Sequence, residues 1–170
     1  MFAIAVALLG AAPLQAQGRT DSLRAVRAFV DDFYAWYAPL ADTGRGIAGV
    51  VALRQRRNQI SDSLYAAIKA ANDLESVTHG EVFDADYFLW SQDPCHHYHV
   101  TSVTRVGTRF RARVECVEAN EYQEGVFVEV AVVARSWRLT NVITADREHD
   151  LVSWLIANVE TVRRARARRP

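Results

Sequence analysis

The chain has 170 residues, of which 50% are hydrophobic and 24% charged, and its formal net charge is zero. This is enough apolar material for one well-buried domain, and the charge balance excludes a global attraction to nucleic acid or to an anionic membrane. The charge is unevenly placed: Arg163, Arg164, Arg166, Arg168 and Arg169 form a basic C-terminal tail (163–170), read as a solvated end, and the rest is mildly acidic.

Phe2 to Ala12 is an apolar run of signal-peptide length, too short for a bilayer core about 30 Å thick. Pro13 to Gln17 follow, and small Ala16 suits the residue before a cut. Residues 1–16 are therefore expected to be a cleaved signal peptide. The mature domain, 17–162, is expected in the periplasm or outside the cell, with no membrane segment after cleavage.

Leu23, Val26, Phe29, Val30, Phe33, Trp36, Tyr37 and Leu40 recur at helical spacing, with Arg24, Arg27, Asp31 and Asp32 opposite. A helix is expected from about Asp21 to Ala38, ended by Pro39. A glycine-containing loop follows, then an ambiguous stretch over 50–59. Ser61 then reads as the N-cap of a helix whose stripe is Leu64, Ile68, Ala71 and Leu74. From Tyr98 the period changes to two. Phe110, Ala112, Val114 and Cys116 alternate with Arg109, Arg111, Arg113 and Glu115, the mark of an antiparallel strand with one buried face and one wet face. Val126 to Ala134 is apolar on nearly both faces and reads as an inner strand. Trp137 to Thr144 reads as a fourth strand, and Asp146 as the cap of a last helix with Leu151, Trp154, Leu155, Val159 and Val162 inside. The fold class is α+β.

Three segments carry a family resemblance: Val26 to Pro39, Phe83 to Pro94, and Trp137 to Ile143. They resemble the opening helix, the acidic-aromatic motif and the closing strand of a family of bacterial exported proteins that bears a domain-of-unknown-function label. That family is similar to the nuclear transport factor 2-like superfamily, which includes ketosteroid isomerase and scytalone dehydratase. The resemblance implies helices packed into the concave side of a curved, cone-shaped antiparallel sheet of about four strands, with a C-terminal helix. It implies no reaction.

Four constellations bear on chemistry. Asp84, Asp86, Tyr87, Trp90, Gln92 and Asp93 place carboxylates beside aromatics. Such a group can hold a shifted acid or base, bind a polar ligand, or simply bond its own backbone in a turn. Its spacing lacks the further ligands of a calcium loop. Cys95, His97 and His99 share one side of an extended chain, but no second cluster completes a zinc site. Neither a metal nor a cofactor is expected.

The third is the cysteine pair. With a two-residue turn at Gly107-Thr108, Cys116 lies opposite His99. With a three-residue loop it lies opposite Val100, the register that keeps Val100 and Val106 on the apolar face. Either offset leaves Cys95 more than about 13 Å away along the strand, so a bridge requires Cys95 to leave the strand line, as Pro94 allows. The alternative is Cys116 in the core and Cys95 as a free thiol. The fourth is Glu129, an acid between Phe127 and Ala131, which either lines a pocket or meets water or an arginine of the neighbouring strand.

The sequence thus favours an exported domain that binds an unknown small molecule or protein. A small isomerase, hydratase or hydrolase using pocket carboxylates, and an interaction or inhibitor module, are the alternatives. Nucleic acid is not an expected partner, and a homodimer is left open. No nucleophile or phosphate-loop motif is present; Gly44-Arg45-Gly46 is too short and wrongly placed for one.

Overall fold

The computed structural model describes residues 12–42, 47–78, 83, 85–92, 94–117 and 125–168. Four α-helices and four strands follow the order α1 (Ala12–Ala41), α2 (Ile47–Gln55), α3 (Asp62–Thr78), β1 (Tyr98–Val106), β2 (Arg109–Cys116), β3 (Val126–Val133), β4 (Ser136–Ile143) and α4 (Leu151–Ala167), with a short 3-10 turn at Arg57–Gln59. The strands form an antiparallel meander in the order β1-β2-β3-β4 that does not close into a barrel, as expected of the α+β class.

The stripe on α1 is the reason it packs as it does. Val26, Val30, Phe33, Tyr34 and Tyr37 are all fully buried, and they meet the inner sheet face formed by Val100, Ala112, Val114, Val128, Val130, Leu139 and Val142. The helix runs past the expected stop: Pro39 lies inside the last turn, and α1 ends at Ala41. Proline there costs little, because only one intrahelical bond is lost before the helix would end anyway. At the other end α1 already starts at Ala12, within the segment read as signal peptide.

Ser61 caps α3, its hydroxyl accepting the Leu64 N–H at 3.3 Å. The residue before it, Ile60, makes a parallel bridge to Leu139, which ties the α2–α3 connection to the β4 edge. The last helix is capped differently from expectation. Asp150 accepts the Ser153 N–H at 3.0 Å, whereas Asp146 accepts the Glu148 N–H at 2.9 Å in the turn before it. Helix α4 then continues through Ala167, so Arg163, Arg164 and Arg166 are helical. Arg164 pairs with Glu160 one turn back.

The β1–β2 register combines both expectations. The hairpin has the two-residue turn, pairing Val106 with Arg109, with Gly107 at φ 60°. A bulge between Val100 and Ser102 then shifts the register by one. Val100 therefore stays on the apolar face opposite Val114, while Val106 faces outward. The three-residue loop is not used, because the bulge restores the buried alternation without it. The bulge is held from α1: Asp31 accepts the Val100 N–H at 2.8 Å, and Arg27 donates to the carbonyls of Val100 and Thr101. Both residues look solvent-facing in the sequence pattern. Their work is to satisfy the open backbone groups of an edge strand.

Candidate functional site

The acidic-aromatic segment is tied into the core. Asp86 is 6% exposed. Its Oδ1 accepts the N–H groups of Phe88 and Leu89 at 2.8 and 3.0 Å, and its Oδ2 accepts the Tyr37 hydroxyl at 2.6 Å. Trp90 N–H bonds Asp86 O, and Asp86 N–H bonds Ser91 O, closing a single turn. Trp90 ends that turn in the left-handed region, φ 51°. Burial pushes the Asp86 carboxyl above its usual range, against the three donors that favour the charged form.

Tyr87 donates to Glu75 at 2.9 Å, and its ring stacks on Phe83, which in turn meets Trp90 and Trp154 edge-on. Burial raises Glu75 as well. Tyr34 donates to Phe88 O at 2.7 Å. Gln92 is exposed at the segment's end. Asp84 and Asp93 lie outside the described residues. Asp86, Tyr87 and Trp90 thus share one network, whose bonds fold the turn and lock it to α1 and α3.

Cys95 and Cys116 form a disulfide with Cα atoms 6.0 Å apart. The bulge places Cys116 opposite Tyr98, one residue nearer Cys95 than the plain two-residue turn allows. Cys95 stands off the strand, its N–H bonded to the Tyr98 hydroxyl at 2.9 Å. Closing a loop with a sequence separation of 21 stabilises the fold by about 3 kcal/mol in the chain-entropy account. With Cys95 bridged, the stretch has no free thiol ligand, and the described residues contain no group of three or more His, Cys, Asp or Glu side chains placed to hold a metal. His96 lies 3.4 Å from Asp42, both exposed.

Glu129 lies on the outer sheet face but is largely buried there, 9% exposed. The β2–β3 register sets it beside Arg111. Its carboxylate accepts from Arg111 at 2.7 Å and from Arg109 at 3.1 Å. Next to this pair, the turn between β4 and α4 borders an open polar cavity with a volume near 400 Å³. Arg111, Glu129, Asn141, Arg147, Glu148 and Asp150 supply its polar wall. Asn141 is fixed by Asp150 at 2.8 Å and by the N–H groups of Val142 and Val152. Burial works to raise the Asp150 carboxyl, but the bonds from Asn141 and Ser153 outweigh it and hold the group low.

Phe127 sits beside the cavity, covered by the guanidinium groups of Arg113 at 5.2 Å and Arg147 at 4.6 Å. The alternating arginines of β2 were legible in the sequence. Arg147, Glu148 and Asn141 were not, because only the turn after β4 brings them to this face.

A second cavity, of about 570 Å³, is an apolar groove between α3 and α4 along Ala66, Ala70, Val152, Ile156 and Val159. Among the described residues no helix is long and apolar enough to cross a membrane. Comparison with models of known protein families, with curated proteins and with solved structures yields no match.

Proposed function

We propose that the protein is an exported binding domain that recognises its ligand on the outer face of the sheet and catalyses no reaction. One observation carries this reading: the best-placed acid of the inner side, Asp86, has both oxygens engaged by Tyr37 and by backbone N–H groups, while the outer-face cavity keeps charged side chains at its wall. A general acid or base must reach a substrate proton, and Asp86 is committed to the turn that it builds. Export is supported by the apolar run of residues 2–12 and by the disulfide, a bond favoured in oxidising compartments. The resemblance to the exported family agrees with it.

Two measurements test the reading. N-terminal sequencing of the protein recovered outside the cytoplasm is expected to start at Gln17; recovery of the intact N-terminus from the cytoplasm alone contradicts export. A thermal-shift screen of the full chain against sterol-like, aromatic, sugar and amino-acid ligands is expected to find stabilisation that is lost in Arg111→Gln. Stabilisation that survives this substitution, or turnover of any of these compounds, contradicts outer-face binding.

A further inference from the structure

The outer-face cavity carries two charges of opposite sign that the protein leaves unmatched. Arg147 makes no ion pair or hydrogen bond through its guanidinium among the described residues; the group lies flat over Phe127 at 4.6 Å. Its neighbour Glu148 likewise has no partner for its carboxylate among the described residues, and both line the cavity. By contrast, Glu129 is saturated by Arg109 and Arg111, and Asp150 is engaged by Asn141 and the Ser153 N–H.

The turn that holds the two free charges is stiff. Thr144 N–H bonds His149 O at 3.0 Å and Arg147 N–H bonds Thr144 O at 2.9 Å. His149 N–H bonds the Thr144 hydroxyl at 3.2 Å, and Asp146 accepts the Glu148 N–H at 2.9 Å. Arg147 itself adopts φ 65°, a conformation that costs a side-chain-bearing residue about 1 kcal/mol or more and that recurs at ligand clamps. A flexible surface arginine needs no such placement.

We propose that this cavity binds a small zwitterion, a molecule bearing a carboxylate and an ammonium group as a free amino acid does. This rests on the outer-face reading above and names its ligand class. The carboxylate takes the Arg147 guanidinium at the cavity wall; the ammonium takes Glu148. A volume near 400 Å³ falls at the small end of ligand cavities and has room for an amino acid with its side chain. The aromatic floor under Arg147 holds the guanidinium in place, so little freedom is lost on binding.

The test is a titration of the ¹⁵N-labelled full-length chain with the free L-amino acids, with acetate and methylammonium as singly charged controls, reading the backbone amides of residues 141–153. At least one amino acid is expected to shift these amides saturably, and both controls to bind about tenfold more weakly or worse, since each satisfies one charge only. Arg147→Gln and Glu148→Gln, both on an exposed turn, are each expected to weaken binding about tenfold. The assignment is overturned if no amino acid shifts these amides, if acetate binds as tightly, or if both variants bind like the wild type. Should a sugar or aromatic ligand instead bind and be lost in Arg111→Gln, the zwitterion assignment falls while outer-face binding stands.

Discussion

Asp31, near the middle of α1, accepts the Val100 N–H of β1 at 2.8 Å, at the bulge that sets the register of the first hairpin. With Arg27 donating one turn earlier to the carbonyls beside it, the helix supplies the hydrogen bonds that a fifth strand would otherwise provide. Removing the acceptor leaves a partly buried N–H unmet. Asp31→Ala is expected to lower stability by about 1–2 kcal/mol and Asp31→Asn by less than half of that, since its amide oxygen can still accept. Equilibrium urea unfolding of both variants checks this; equal losses mean that charge, not the hydrogen bond, is what matters at the bulge.

A second prediction concerns pH. Burial raises Asp86 above its unfolded value, so its favourable contribution is complete below the unfolded pKa of about 4 and is lost as pH rises through the folded pKa. Asp86→Asn keeps an oxygen for the two N–H groups and a donor toward the Tyr37 oxygen, without the buried charge. Relative to the wild type this variant is expected to gain stability steadily between acid and neutral pH. Asp86→Ala, which strands three donors, is expected to lose about 3 kcal/mol. Urea unfolding at several pH values reads both; a wild type that gains on the Asn variant as pH rises would falsify the burial argument.

A third prediction follows from Gly49 on α2. A Cβ there would lie 2.5 Å from Cδ2 of Tyr87. Alanine ordinarily stabilises a helix by about 1 kcal/mol over glycine, but here the ring has no room to retreat, since it stacks on Phe83. Gly49→Ala is expected to destabilise by about 1–3 kcal/mol. In the Tyr87→Leu background the same change is expected to cost much less. Thermal denaturation of the four proteins in this cycle decides it, and additive effects argue against the contact.

Much of this was legible from spacing, and the exceptions share a cause. The α1 stripe and the β2 alternation declare their buried faces because each element has one wet side. The periodicity of these two elements is what pointed to an α+β class. Arg27 and Asp31 misread as solvent-facing because their partners are the backbone of a strand far along the chain, and backbone leaves no mark in a hydrophobic pattern. The Thr101 bulge is invisible for the same reason, and with it the disulfide geometry: counting residues along an ideal ladder overstates how far Cys95 lies from Cys116. Asp86 was picked out as a candidate for its position among aromatics, but sequence cannot distinguish an acid that faces a pocket from one that caps a turn.

A fourth prediction separates the two arginines on Glu129. Arg111 is 24% exposed and Arg109 56%, so solvent screens the second pair far more than the first. Double-mutant cycles pairing Glu129→Gln with Arg111→Gln and with Arg109→Gln are expected to give coupling of about 1–2 kcal/mol and below about 0.5 kcal/mol respectively. Equal couplings would mean that the two contacts are equally hydrated in solution.

The sulfur bridge between Cys95 and Cys116 closes β1 and β2 into a covalent ring. Tension applied to the two ends of the chain passes through the sulfurs and never loads the hairpin. With 21 residues of separation taken out of the extensible length, the oxidised chain stretches about 70 Å less than the reduced one at full extension. The hairpin that carries the arginine ladder is thereby shielded from pulling forces that would strip α1 or α4 away, and reduction is what returns it to the mechanical path.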